Sequence, residues 1–190
     1  RSAEAADYHS VDVDSLELLR PRSVSVEHVA LAAVRQVGLD RKLAALCLNG
    51  PQQAAAIGTL VARMAAPGSE LATYDWLQHH SALGELIDYD FLDMDLMALY
   101  RISDQLLKHK GALEGFLYAQ ERTLFDFEEV ITLYDLTNTY FEGTAQGNAN
   151  AHLGKSKEKR SDCPLVTLAL VLDASGFPKR SEIFAGNASE

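Results

Sequence analysis

The sequence predicts an α+β fold, a helical amino-terminal part followed by three strands, the last two close enough for a hairpin. From about residue 23 to residue 122, apolar residues recur at the i, i+3, i+4, i+7 spacing of helix faces. After Leu124 the pattern changes to short β-branched and aromatic runs. Composition sets the scale: 190 residues, 47% hydrophobic and 23% charged, suffice for one core or two small ones.

The helices follow in order. In "SVSVEHVALAAVRQVG", Val26, Val29, Ala30, Ala33, Val34 and Val37 share one face, with Ser25 as N-cap and Gly38 as stop. "DRKLAALCLNG" gives a second helix, capped by Asp40 and ended by Gly50. "PQQAAAIGTLVARMAAPG" places Pro51 in a first helical turn and ends at Pro67-Gly68. "SELATYDWLQHH" and the long "DFLDMDLMALYRISDQLLKHKGALEGFLYAQER" complete a helix cluster, with a break expected near Gly111.

Three strands come next. "EEVITLYDLTNTYF" is the first, and "CPLVTLALVLDASGF" the second, ending in a turn at Asp173-Ala174-Ser175-Gly176. "PKRSEIFAG" alternates as a half-exposed third strand. The unbroken apolar run from Leu165 to Leu172 predicts burial on both faces of the second strand. Between strands one and two lies a long polar loop, rich in Gly and Asn, of a length usually tied to function or disorder. Asp135 stands at the centre of the first strand. A carboxylate desolvated there without a partner costs several kcal/mol, so Asp135 must reach water, find donors, or hold something positive.

Several classes are excluded. No apolar run approaches the ~20 residues of a membrane helix, and the opening "RSAEAADYHS" lacks a signal-peptide core. Cys47 and Cys163 stand far apart without a Cys-x-x-Cys pattern, which suits a reducing cytoplasm and excludes a zinc knuckle. A net charge of −10 argues against coating nucleic acid with the whole surface, and leaves room for a local basic patch. The chain opens on Arg and closes on "GNASE", so it is expected to be a piece of something longer.

"YDLTNTYFEG", then "GKSKEKRSDCPLVTLALVLDASGFP", then "EIFAGN" resembles the DDE transposases of bacterial insertion sequences. In that family an Asp in the first strand of an RNase H-like sheet precedes a Gly-x-Ser-Lys-x-x-Arg-x-Asp loop. A second strand, a Gly-x-Pro turn and a third strand closing in Gly-Asn follow. The match spans residues 128 to 190, about a third of the chain, with its motifs in order.

The resemblance implies the first three antiparallel strands of an incomplete RNase H-like domain over 125–190, after a helical domain over 1–124. It also implies a role for Asp135. Three carboxylates in such enzymes hold two Mg²⁺ ions at the scissile phosphate, one activating the nucleophile and the other stabilising the leaving oxygen. Asp135 matches the first, as catalytic residue and metal ligand. The family's second Asp and its Glu come after the last motif matched here, so this piece is expected to be silent alone. Asp173 belongs to the hairpin turn, where Asp is common for backbone reasons. Thr137 reads as an ordinary strand residue and Glu142 as a solvated loop carboxylate.

Lys155, Lys157, Lys159 and Arg160 are the DNA-contact candidates, cations able to hold phosphates without reading bases. Gly154 and Ser156 match the family loop around them. "IDYDFLDMD" lacks the Gly and terminal Glu of an EF-hand loop and reads as an acidic helix start. His79 and His80 are adjacent and so cannot form an i, i+4 metal pair. Met64, Met94 and Met97 read as core filler.

The functional expectation is a cytoplasmic, Mg²⁺-dependent transposase that nicks and joins DNA at element ends. A bare sheet face would make this piece self-associate. The rival is a non-enzymatic module that binds DNA or dimerises, derived from a truncated transposase.

Overall fold

Local signals fix most element boundaries. Helices α1 (Ser25–Gln36), α2 (Leu39–Ala45), α3 (Gly50–Ala65), α4 (Glu70–His79), α5 (Leu83–Ile87), α6 (Leu96–Lys108) and α7 (Lys110–Phe125) precede strands β1 (Leu133–Tyr140), β2 (Leu165–Leu172) and β3 (Pro178–Ala185). The fold is α+β, helices followed by a three-stranded antiparallel sheet. The computed structural model describes residues 9–17, 19, 21–125, 133–154 and 161–188, without the side chains of 124, 125 and 133–135. Among these residues no helix is long and apolar enough to cross a membrane. The chain forms two compact units, Arg1–Ala33 with Leu48–Ser103, and Val34–Cys47 with Asp104–Glu190. Contacts thus group α2 and α7 with the sheet, whereas a division by secondary structure falls at 124/125.

In the first unit α3 is the central element. Asn49 caps it: its side chain accepts from the Gln52 amide at 3.0 Å, and Gln52 returns a bond to the Asn49 amide at 2.9 Å. Gly50 therefore opens α3 and does not end the helix before it, which stops at Ala45. Ala54, Ala55, Ala56, Val61 and Ala62 are buried along α3. A Cβ on Gly58 would stand 3.1 Å from both Leu77 and Phe91, so glycine there lets α4 and the Phe91 turn close in. Leu83, Leu99 and Ile102 complete this core.

Helix α1 corrects the expected apolar face. Its buried positions are Glu27, Ala30, Leu31 and Val34, whereas Val26 and Val29 are exposed. Leu31 buries more apolar area than either valine, which turns the helix towards it. Met94 is buried as expected, but Met64 and Met97 are about half exposed. The acidic "DYDFLDMD" stretch forms a 3₁₀ turn at Phe91–Asp93, capped by Asp90 through the Leu92 amide.

In the second unit, Gly38 in the left-handed region (φ 72°) takes the N-cap place of α2 expected of Asp40. Asp40 Oδ1 is instead buried without a hydrogen-bond partner among the described residues. Helices α6 and α7 part at His109, close to the expected break at Gly111. In the sheet, ordered β1-β2-β3, Asp135 stands opposite Leu170, and Leu170 opposite Ser181, so the three form one transverse row. Leu165, Thr167 and Ala169 of β2 are buried, while Val166, Leu168 and Leu170 are half-buried. The expected two-sided burial of β2 thus holds fully on one face only. Residues 128–132 of the expected first strand lie outside the described residues.

Helix α7 is fastened to β3 at that row. Glu114 Oε1 accepts from the Ser181 amide at 3.0 Å and from its hydroxyl at 2.6 Å. The Lys110 ammonium donates to the Ser181 carbonyl and lies 3.6 Å from Glu114. Burial opposes ionisation of Glu114, but the Ser181 bonds and Lys110 outweigh it and hold its carboxyl below the usual range.

Candidate functional site

The expected site is described in part. Asp135 occupies the third of eight positions in β1, paired with β2, and its side chain is outside the description. Lys155, Lys157, Lys159 and Arg160 lie outside the described residues altogether. Thr137 is exposed. Asn138 accepts the Thr167 hydroxyl at 3.0 Å across the sheet, which accounts for a polar pair inside an apolar strand. Three residues from Asp135, an odd spacing, it belongs to the other face of the strand.

Asp173 serves the backbone, as expected. Its Oδ1 accepts from the Ser175 amide at 2.8 Å and the Phe177 amide at 2.9 Å, closing the β2–β3 turn. Burial, then the nearby charge of Asp173, raises the pKa of Glu121 on α7. These two carboxylates make only a pair. Among the described residues no group of three or more His, Cys, Asp or Glu side chains could hold a metal ion. The described side chains therefore offer Mg²⁺ no coordination set of their own.

The motif segments meet instead at the far end of the sheet. Beyond β1, the Phe141 amide donates to the Pro164 carbonyl at 2.8 Å. His152 and Leu165 exchange two backbone bonds, 3.1 and 2.9 Å, so the long loop returns to pair beside β2. The Gly186 amide, just after β3, donates to Asn150 at 3.0 Å. A Cβ on Gly186 would overlap the Leu165 carbonyl, and one on Gly154 the Gly186 carbonyl. Three backbone segments cross too closely there for side chains, which gives two glycines of the sequence motifs a steric reason.

This crossing forms one wall of an open cavity of about 820 Å³. Its lining includes Glu142, His152, Leu153, Asp162, Cys163 and Asn187, drawn from four separated segments. His152 Nε2 lies 3.1 Å from the Ala149 carbonyl and spends its donor there. The Cys163 thiol, buried, lies 3.6 Å from Asp162 Oδ2. Glu142 is exposed, as expected of a loop carboxylate, but it belongs to a shared wall. Asp162 and Asn187 close the loop and third-strand motifs of the sequence, where neither carried a role, and His152 falls outside those motifs.

The first unit has its own cavity of about 310 Å³, where Arg22 pairs with Glu85 and Gln78 donates to the Phe91 carbonyl at 3.0 Å. His79 and His80 sit 4.0 and 3.5 Å from Asp75 and share no metal geometry. No protein-family model, curated protein or solved structure matches this chain.

Proposed function

We propose that this chain is part of a DDE transposase with an RNase H-like sheet, and that Asp135 is the first of its three metal-holding carboxylates. The observation that carries the reading is the antiparallel order β1-β2-β3 with Asp135 inside β1, in the motif order of the resemblance. Convergence of Glu142-Gly143, Asp162 to Pro164 and Asn187 at one end of that sheet adds support. The magnesium pair and the cutting and joining of element ends come from the resemblance. With one of three carboxylates, residues 1–190 alone are expected not to nick DNA.

Charge favours the second unit as the DNA-facing part. The first unit holds 5 of the 17 Lys and Arg residues and 13 of the 27 Asp and Glu, a net of −8. The second holds the other 12 cations, among them the run from Lys155 to Arg160. If each of that run's four cations neutralises one phosphate, log affinity for duplex DNA against log salt should fall with a slope of about −3.6. Each single Ala substitution should flatten it by about one. Binding that ignores salt, or no binding at low salt, overturns the DNA reading. The enzymatic part is tested on the source locus: a reading frame beyond residue 190 without an Asp and a later Glu overturns it and leaves a DNA-binding or dimerising module.

A further inference from the structure

One face of α7 lies along the free edge of the sheet. Lys110, Glu114, Tyr118 and Glu121 recur at i, i+4, i+8 and i+11, so they share that face. Lys110 and Glu114 bond Ser181, and the Lys179 ammonium stands 5.4 Å from the centroid of the Tyr118 ring. Strand β3 is paired with β2 on one side only. The Ser181 amide and carbonyl point away from β2, since Glu114 accepts from one and Lys110 donates to the other. Those two groups are what an added strand would take. Two side chains of α7 stand in its place.

We infer that the β3 edge is a pairing surface for a second copy of this chain, held closed by α7. The inference does not depend on the DNA reading. Charge selects the occupant. When β3 meets its own copy antiparallel about Ser181, Arg180 of each strand faces Glu182 of the other, and both residues are exposed. They fall at non-hydrogen-bonded positions, where cross-strand side chains stand closest. The two Ser181 residues then exchange the amide and carbonyl bonds now made with Glu114 and Lys110. A register centred on Ile183 sets Arg180 against Gly186 and Glu182 against Phe184, and gains no ion pair. Ile183 and Phe184, 51% and 40% exposed, continue the surface beyond the α7 contacts. The hold of α7 on the edge is concentrated in Lys110 and Glu114. Glu121, further along, lies near the charge of Asp173, and its buried Oε2 has no hydrogen-bond partner among the described residues.

The test is sedimentation equilibrium at neutral pH and low salt, with circular dichroism to confirm folding. Lys110→Ala/Glu114→Ala should dimerise at least about tenfold more tightly than wild type, the scale of the bonds released to a partner strand. Adding Arg180→Glu to that variant sets like charges opposite each other twice, and should weaken the dimer about tenfold. Adding Glu182→Arg as well restores opposite pairs and should recover the affinity. If the double variant does not fold, Lys110→Ala alone, which frees the Ser181 carbonyl, should still associate more tightly than wild type. Association no tighter than wild type in the folded variant overturns the inference. So does a dimer that Arg180→Glu leaves unchanged, or one that the charge swap fails to recover.

Discussion

Glu114 and Ser181 join α7 to the row on which Asp135 stands, and their contact has a calculable weight. A hydrogen bond to a charged group nets about 1.5–3 kcal/mol when buried. The Glu114 side chain is 22% exposed and one oxygen takes both bonds, so about 1 kcal/mol each is appropriate. Glu114→Ala should therefore cost about 2 kcal/mol. A double-mutant cycle with Ser181→Ala should return a coupling near 1 kcal/mol, the hydroxyl's share. Urea unfolding at constant slope measures both. The pH dependence has a definite sign. The folded carboxyl titrates below its unfolded value, so its stabilisation is complete above about pH 4.3 and is lost as pH falls through the lower folded value. The loss should vanish in Glu114→Gln. A coupling under about 0.3 kcal/mol, or the same acid dependence in wild type and Glu114→Gln, would refute the fastening of α7 to β3.

Asp173→Ala should cost about 2 kcal/mol by orphaning the Ser175 and Phe177 amides, while Asp173→Asn, which keeps an acceptor, should cost well under half of that in the same urea assay. Glu121 should titrate at lower pH in Asp173→Asn than in wild type, because the neighbouring charge is gone. A carboxyl-labelled NMR titration reads this, and an unmoved Glu121 would show burial acting alone. Asp135→Asn should leave the metal-free chain equally stable or firmer by about 0.5–2 kcal/mol. A loss above about 1 kcal/mol would mean that the carboxylate serves hydrogen bonds and not a metal.

Elements were legible where the local signal was self-contained. The turn at Asp173 is such a case, because an Asx side chain closing a tight turn needs only neighbours two and four residues away. Helix ends were misread where two signals competed. Gly50 looks like a stop, but Asn49 and Gln52 around it form a capping box, and two satisfied amides outweigh the preference of glycine for a helix end. In α1, Val26 and Val29 fit the apolar spacing as well as Leu31 does. Only the packing surface decides between faces that share Ala30 and Val34.

The candidate site divides along the same line. Asp135 stood out because a carboxylate in an apolar strand is a local anomaly, visible in five residues of sequence. The cavity was invisible because each contributor is ordinary alone: an exposed Glu142, a His152 bonded to its own loop, an Asn187 after a strand. What gathers them is a backbone crossing tight enough to exclude any Cβ at Gly154 and Gly186. That requirement is absolute in a way the side-chain identities are not. Replacing Glu142 with Gln changes one exposed side chain, whereas a methyl at Gly186 must push apart β2, the end of β3 and the returning loop. Gly154 and Gly186 are therefore the part of the site that sequence alone carries most reliably. The polar residues beside them become informative only after the fold has shown which ones share a wall.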